Sequence, residues 1–165
     1  MDWRNLQFRT IDAEQDRETV LAFFRDTQMA SVGNEDHFDD EDYLNRIKKH
    51  VSVNPDGFVL ALEDGKPIGQ LELQIKSYQD RKVGYISLIY VTAACRGKNY
   101  SKKLLAYAEN YFTGREMGEY HLRVSPANRR ALRFYEKSGL AMLGEEQSSM
   151  GYPVYRMGKK LQGKG

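Results

Sequence analysis

The segment 83–125 constrains the fold more than any other part of the chain. Residues 83–92, VGYISLIYVT, are nearly all apolar or small, which is typical of a strand covered on both faces. Apolar residues at helical spacing follow over 101–112, and residues 119–125, EYHLRVS, alternate as a strand does. A strand, a helix and a strand in this order form a right-handed crossover, so we expect the two strands to lie parallel.

The rest of the chain adds strands and helices around this crossover. We expect strands at 6–11, 58–63, 67–76, 141–147 and 153–160, and helices from Asp12 to near Gly33, around 43–51 and over 128–138, the last ended by Gly139. The dipeptide Asp64-Gly65 between two of these strands is a strong hairpin signal. The order β-α-α-β-β-β-α-β-α-β-β predicts a single α/β domain over residues 1–165, with a mixed sheet of about seven strands and helices on both faces.

A concentration of positive charge opens the helix of the crossover. The stretch 95–105, CRGKNYSKKLL, contains four basic residues, Arg96, Lys98, Lys102 and Lys103. Because a helix N-terminus carries a partial positive charge, cations there are unfavourable unless an anion is bound. The loop also follows the carboxyl end of a parallel strand, where ligands bind in α/β sheets, and free N–H groups at a helix start can hold phosphate. The stretch is therefore either a solvated loop whose cations aid solubility or a site for a polyphosphate.

Two separate segments resemble the GNAT superfamily of N-acetyltransferases. RGKNYS resembles the Arg/Gln-x-x-Gly-x-Gly/Ala loop whose backbone amides hold the pyrophosphate of acetyl-CoA, and it lies in a similar strand-loop-helix segment, LIYVTAACRGKNYSKKLL. NRRALRFYEKSGL is similar to the family's Asn-x-x-Ala-x-x-Phe-Tyr-x-x-x-Gly-Phe segment. The resemblance implies an acetyl-CoA-dependent N-acetyltransferase that moves an acetyl group directly to a primary amine of a small molecule, a peptide or a protein.

The resemblance also implies which residues bind acetyl-CoA. They are Ile89, Tyr90 and Val91 along the pantetheine arm, Arg96, Gly97, Lys98, Asn99, Tyr100 and Ser101 at the diphosphate, and Asn128 and Tyr135. Asn99 stands where the family has its first glycine, and Ser101 where it has Gly or Ala. If position 99 needs a positive φ, Asn is the least costly residue other than Gly, and Ser101 is small enough to let a phosphate approach. A pantetheine arm beside 89–91 also requires the two parallel strands to splay.

Tyr135 matches the general acid of the family, which protonates the departing CoA thiolate. A phenol with a pKa of about 10 stays protonated at neutral pH and can donate to a thiolate whose conjugate acid has a pKa of about 8.5. Taken alone, Tyr135 is more typical of a core residue on an apolar helix face, and Asn128 of a helix N-cap.

The sequence indicates the general base less clearly than the general acid. The strand before the loop carries no acidic residue, and its nearest polar positions are Tyr85 and Ser87. Glu72, in GQLELQI, is our candidate base because it lies close if its strand pairs with 83–92; His121 and a water relay are alternatives. The missing acid also supports a second hypothesis, a non-catalytic acyl-CoA-binding or sensing domain on the same fold.

Acidic residues cluster before the second helix. They are Glu35, Asp36, Asp39, Asp40, Glu41 and Asp42. In the family the acceptor amine usually enters near the first two helices, so an acidic rim there would attract a cationic acceptor. The alternative is a solvated loop that supplies helix caps.

Composition argues against several other classes of protein. With 25 basic and 23 acidic residues, the net charge of +2 is too balanced to indicate a nucleic-acid-binding surface. The three histidines show no metal-ligand spacing with one another or with Cys95, so we predict no metal site. No apolar run approaches the roughly 18 residues of a membrane span. The single cysteine and the polar N-terminus predict a cytoplasmic protein, which we expect to be a monomer or a homodimer.

Overall fold

The computed structural model describes residues 5–32, 39–149 and 151–161. Within them, the helices are α1 Arg17–Val32, α2 Asp40–Val53, α3 Tyr100–Gly114 and α4 Arg129–Lys137. The strands are β1 Gln7–Thr10, β2 Phe58–Glu63, β3 Lys66–Tyr78, β4 Arg81–Val91, β5 Glu119–Val124, β6 Ala141–Gln147 and β7 Pro153–Lys160. Short 3₁₀ turns cover Pro55–Gly57 and Ala93–Cys95. The order of strands and helices predicted from the sequence is confirmed.

The seven strands form a mixed sheet in the order β1-β2-β3-β4-β5-β7-β6. β4 and β5 run parallel, with Gly84 opposite Tyr120 and Ile86 opposite Leu122. The pairs β1–β2, β2–β3, β5–β7 and β6–β7 are antiparallel. The parallel pair predicted from the crossover is therefore confirmed.

The chain divides into two compact units. The first comprises Met1–Glu72 and Leu88–Ala108, and the second comprises Leu73–Ser87 and Glu109–Gly165. Because the division passes through β3 and β4, each of these strands contributes to both units. The single domain over residues 1–165 stays a prediction.

In the first unit, helices cover both faces of the sheet, as predicted. Buried side chains of α1 and α2 form one cluster with three residues of β2: Phe58, Leu60 and Leu62. Gly69 on β3 pairs with Ala61, a position between these residues, so it faces the other way. There it lies against α3, since a Cβ built on Gly69 would be 3.1 Å from Leu104.

The predicted hairpin between β2 and β3 is confirmed. Asp64 and Gly65 both have positive φ angles, of 50° and 79°, and Glu63 pairs with Lys66 across the turn. Two consecutive residues of this kind give the backbone twist that matches a two-residue hairpin, which explains the Asp-Gly sequence.

The start of α1 differs from the prediction. Asp12 does not cap the helix directly; its Oδ1 accepts hydrogen bonds from the N–H groups of Glu14 (3.0 Å) and Gln15 (3.1 Å), which forms a turn, and α1 begins at Arg17. The buried Asp16 then accepts from the N–H of Asp12 at 2.8 Å. A short polar side chain can hold such a local turn as readily as a cap, and the sequence does not distinguish the two. Gly33, the expected end of this helix, lies outside the described residues.

In the second unit, α3 packs closely on β4 and β5. A Cβ at Gly84 would lie 2.5 Å from the ring of Phe112, and that ring also stacks on Tyr120 with centroids 5.5 Å apart. Gly139, with φ 99°, ends α4, and the N–H of Leu140 donates to Tyr135 O at 3.0 Å. This is the glycine C-cap predicted from the sequence. In the described part of the chain, the helices are too short or too polar to span a bilayer.

Candidate functional site

The basic loop adopts a strained, defined conformation before α3. Gly97 and Asn99 both have positive φ angles, of 77° and 70°. Position 99 therefore does need a positive φ, and Asn is the least costly residue other than Gly in the left-handed region. Lys98 between them is exposed, as is Lys102 on the first turn of α3, and that turn contains no acidic residue. The loop thus leaves the positive end of a helix dipole without a compensating carboxylate.

A buried tyrosine fixes the start of α3 below this loop. Tyr100 is 1% exposed, and its hydroxyl donates a hydrogen bond to Glu63 Oε2 at the end of β2. Cys95, just before the loop, is buried and not in a disulfide. The Tyr100 hydrogen bond therefore joins the start of α3 to the end of β2.

Arg96 is held against the end of β4 in a way that the sequence did not indicate. Its Nε donates to Val91 O at 2.9 Å, and its Nη2 lies 3.1 Å from Asp26 Oδ2. The hydroxyl of Tyr90 donates to the same carboxylate oxygen, and burial is the main reason that the pKa of Tyr90 rises to about 12. Asp26, on α1, therefore joins the loop to β4. No local pattern marks it, because it is far from the loop in the sequence.

β4 pairs with β5 over only part of its length. Its pairing with β5 ends at Ile86, opposite Leu122, whereas β4 itself continues to Val91. On the β3 side, the carbonyl of Tyr90 comes so close to Gly69 that a Cβ there would lie 2.6 Å from the oxygen. Only a glycine on β3 permits this approach.

Glu72 lies in a buried polar cluster with Tyr43 and Gln70. The Tyr43 hydroxyl donates to Glu72 Oε2, and Gln70 Nε2 lies 2.9 Å from the same oxygen and 3.0 Å from the tyrosine oxygen. Burial raises the pKa of Glu72 to about 7, against the hydrogen bond from Tyr43 and the charge of Arg46, which lower it. A carboxylate poised near neutral pH suits a general base. The sequence indicated Glu72 as a candidate base but did not indicate Tyr43 and Gln70 as its hydrogen-bond partners.

His121, the alternative base, is used in a structural network of the second unit. It is fully buried, with Nε2 2.6 Å from Glu119 Oε2 and Nδ1 3.0 Å from Arg156 Nη1. Arg81 holds the same Glu119 carboxylate and, as the largest cause, lowers its pKa to about 2. Both imidazole nitrogens therefore have protein partners, which favours Glu72 over His121 as the base.

Tyr135 and Asn128 occupy the two ends of α4. Tyr135 is 8% exposed, burial raises the pKa of its phenol, and no described residue hydrogen-bonds to its hydroxyl. Its proton therefore stays in place at neutral pH and is not committed to a partner in the described chain. Asn128 caps the helix, since its Oδ1 accepts from the N–H of Ala131 at 3.1 Å.

The acidic stretch before α2 is largely used in local contacts. Asp39 caps α2 by accepting from the N–H of Asp42 at 3.0 Å. Asp40 and Glu41 pair with two arginines of α1, at 2.7 and 2.8 Å. Of the other three acids, Asp42 contributes its backbone N–H to this cap, and Glu35 and Asp36 lie outside the described residues. Beside this stretch, a groove of about 470 Å³ is lined by Phe24, Gln28, Asp39, Asp42, Asn45, Arg46 and Lys49. No metal-binding group of His, Cys, Asp or Glu is found in the part of the chain that the structure describes.

The sequence profile of the Acetyltransferase (GNAT) family matches residues 14–140, which include the loop, β4 and α4. The chain belongs to this family. The resemblance to the GNAT superfamily that the two motif segments carry is therefore confirmed. A comparison with curated proteins gives no match for this GNAT chain.

Several solved structures share this fold. PaiA N-acetyltransferase from Thermoplasma acidophilum, in complex with coenzyme A, is 23% identical, with a TM-score of 0.74 over 95% of this chain and 99% of that one. YncA, a putative acetyltransferase from Salmonella typhimurium with acetyl-CoA, is 17% identical, with a TM-score of 0.75 over 98% and 96%. Ribosomal-protein-alanine N-acetyltransferase from Brucella melitensis is 20% identical, with a TM-score of 0.74 over 94% and 99%. At these identities the likeness concerns the fold.

Proposed function

We propose that this GNAT protein is an N-acetyltransferase that transfers the acetyl group of acetyl-CoA directly to a primary amine. The observation that carries the proposal is the loop before α3, whose two left-handed residues and exposed Lys98 precede a helix start without an acidic residue. Such a helix start is suited to a diphosphate. The complexes of PaiA with coenzyme A and of YncA with acetyl-CoA support the same donor.

We assign acetyl-CoA to the residues implied by the family motifs. Residues 96–101 would hold the diphosphate through backbone N–H groups, with Lys98 adding charge. The stretch 89–91, beyond the parallel ladder, would pair with the pantetheine arm as an added strand does. Arg96 acts differently from the other cations in this assignment. Because it binds Val91 O and Asp26, it would fix the loop relative to β4.

Glu72 and Tyr135 would move the two protons of the transfer. Glu72 accepts a proton from the ammonium group of the acceptor, which frees the nitrogen lone pair to form a bond to the thioester carbonyl carbon. The nitrogen then loses its second proton to water, the carbon–sulfur bond breaks, and Tyr135 donates its proton to the sulfur that leaves. The products are the acetylated amine and CoA. Solvent water then carries the proton from Glu72 to Tyr135, which restores both side chains. The direction of both pKa shifts fits these roles, since burial keeps Tyr135 protonated and brings Glu72 near neutrality.

A screen of amines for release of free CoA thiol tests the proposal. We expect turnover with at least one primary amine, and a loss of roughly 10²–10⁴ in kcat for Glu72→Gln, which is the usual contribution of a general base. The exposed Glu136→Gln on α4 is a matched control that should retain activity. Binding of acetyl-CoA without turnover of any amine would instead favour the non-catalytic acyl-CoA-binding domain.

A further inference from the structure

Three cationic side chains gather on one face of the second unit. Lys76 on β3 lies over the ring of Tyr85 on β4, with Nζ 4.5 Å from the centroid. The guanidinium carbon Cζ of Arg156, on β7, lies 5.8 Å from the same centroid. Arg123 on β5 is the register partner of Arg156, and both contact the Glu146 carboxylate, at 2.8 and 2.7 Å. Four strands thus place three positive charges around one tyrosine.

The charge of this cluster is not balanced within it. Glu146 is shared by the two arginines, and no described residue forms an ion pair with Lys76. Burial first, and then the charges of Arg123 and Arg156, lower the pKa of Lys76. Glu119 does not compensate, because Arg81 and His121 already hold its carboxylate. Like charges placed together on a folded sheet oppose stability unless another group neutralises them.

Several hydrogen-bond donors of the cluster have no acceptor among the described residues. A guanidinium has five N–H groups; Arg156 uses Nε for Glu146 and Nη1 for His121, and Arg123 uses Nε and Nη2 for Glu146. The remaining guanidinium nitrogens, the ammonium of Lys76 and the Tyr85 hydroxyl have no hydrogen-bond partner among the described residues, although Lys76 lies over the ring of Tyr85 and Arg156 over the ring of Tyr78. The cluster therefore offers donors and positive charge but only one carboxylate.

We propose that Lys76, Tyr85, Arg123 and Arg156 form a binding site for an oxyanion, the carboxylate or phosphate group of a small molecule. Arginine nitrogens that are already oriented by Glu146 are well suited to a planar carboxylate or a phosphate, and charge-assisted bonds of this kind are the strong ones. The site itself does not depend on acetyl transfer. The identity of its ligand does: under the proposed function, the oxyanion is the second functional group of the acceptor amine.

Titration of the ¹⁵N-labelled protein with inorganic phosphate tests the site. We expect saturable shifts of the Arg123 and Arg156 Nε signals and of backbone amides near Tyr85. Lys76→Met should weaken this binding by about tenfold, since it removes one charge-assisted bond. Lys82→Met is the matched control, because Lys82 is exposed on the same hairpin and contacts Ser77 instead. The absence of shifts at these signals, or equal effects of the two variants, would overturn the proposal.

A pair of amines identifies the source of the oxyanion. One carries a carboxylate and the other the corresponding uncharged amide. If Lys76→Met raises KM for the carboxylated amine only, the oxyanion belongs to the acceptor. If phosphate binds but KM is unchanged for both amines, the site stands and takes a separate small molecule. If no amine is acetylated at all, the proposed function fails, and the phosphate titration still decides the site.

Discussion

Replacing Glu72 by Gln should change how the stability of the protein depends on pH. Burial raises the pKa of Glu72 from the ordinary 4.5 to about 7, so the folded protein holds a proton in this range that the unfolded chain has lost. At about 1.4 kcal/mol per pKa unit, protonated Glu72 contributes about 3 kcal/mol to the free energy of unfolding. The contribution is complete below the unfolded pKa and is lost as pH rises through the folded one. The difference in free energy of unfolding between wild type and Glu72→Gln should therefore fall by about 3 kcal/mol between pH 4.5 and 7.5.

Urea unfolding of both proteins across this pH range measures the difference. Asp16, Glu119 and Glu146 have lowered pKa values and act in the opposite direction, but they are present in both proteins and cancel. A difference that stays constant from pH 4.5 to 7.5 would refute the reasoning, because it would mean that Glu72 is already ionised in the folded protein. Once an acceptor is known, kcat/KM should decrease as the pH is lowered through about 7, because Glu72 becomes protonated there.

Three substitutions test other parts of the account. Gly69→Ala should lower the free energy of unfolding by about 1–3 kcal/mol because its Cβ would meet the Tyr90 carbonyl. Gly118→Ala is the control and should have no such effect, since the space around Gly118 is open. Equal urea midpoints for the two variants would contradict the close approach at Gly69. Asn99→Gly should leave the fold intact and bind CoA at least as tightly by calorimetry, since φ is 70°; a large loss would mean that the amide side chain makes a needed contact. Tyr135→Phe should lower kcat by roughly 10²–10⁴ with little change in Tm, and an unchanged kcat with chemistry rate-limiting would remove Tyr135 from the mechanism.

Most of the fold followed from local patterns in the sequence. The crossover over 83–125 was visible because a buried strand, an apolar helix stripe and an alternating strand occur in order, and the parallel ladder agrees with it. The glycine cap at Gly139 also followed from local backbone rules. The start of α1 did not, because Asp12 forms a local turn with the same hydrogen-bonding groups that a cap would use.

The side-chain environments of the site could not be predicted in the same way. Tyr43 reaches Glu72 only because α2 packs on β3, and Asp26 reaches Arg96 only because α1 packs near the end of β4. These partners are far apart in the sequence and share no periodic pattern. The sequence marks residue types that can do chemistry, but burial and long-range contacts decide which pKa values move.

Calorimetry of CoA and pantetheine tests most directly the claim that the loop before α3 holds the diphosphate of the donor. Lys98→Glu is the variant of choice, because Lys98 is exposed on the loop whereas Arg96 also fixes it to Asp26. Lys48→Glu, on the exposed face of α2, serves as the control. Lys98→Glu should weaken CoA binding by roughly tenfold and leave pantetheine, which lacks the diphosphate, nearly unchanged. Equal losses for both ligands, or no loss for either, would contradict the account.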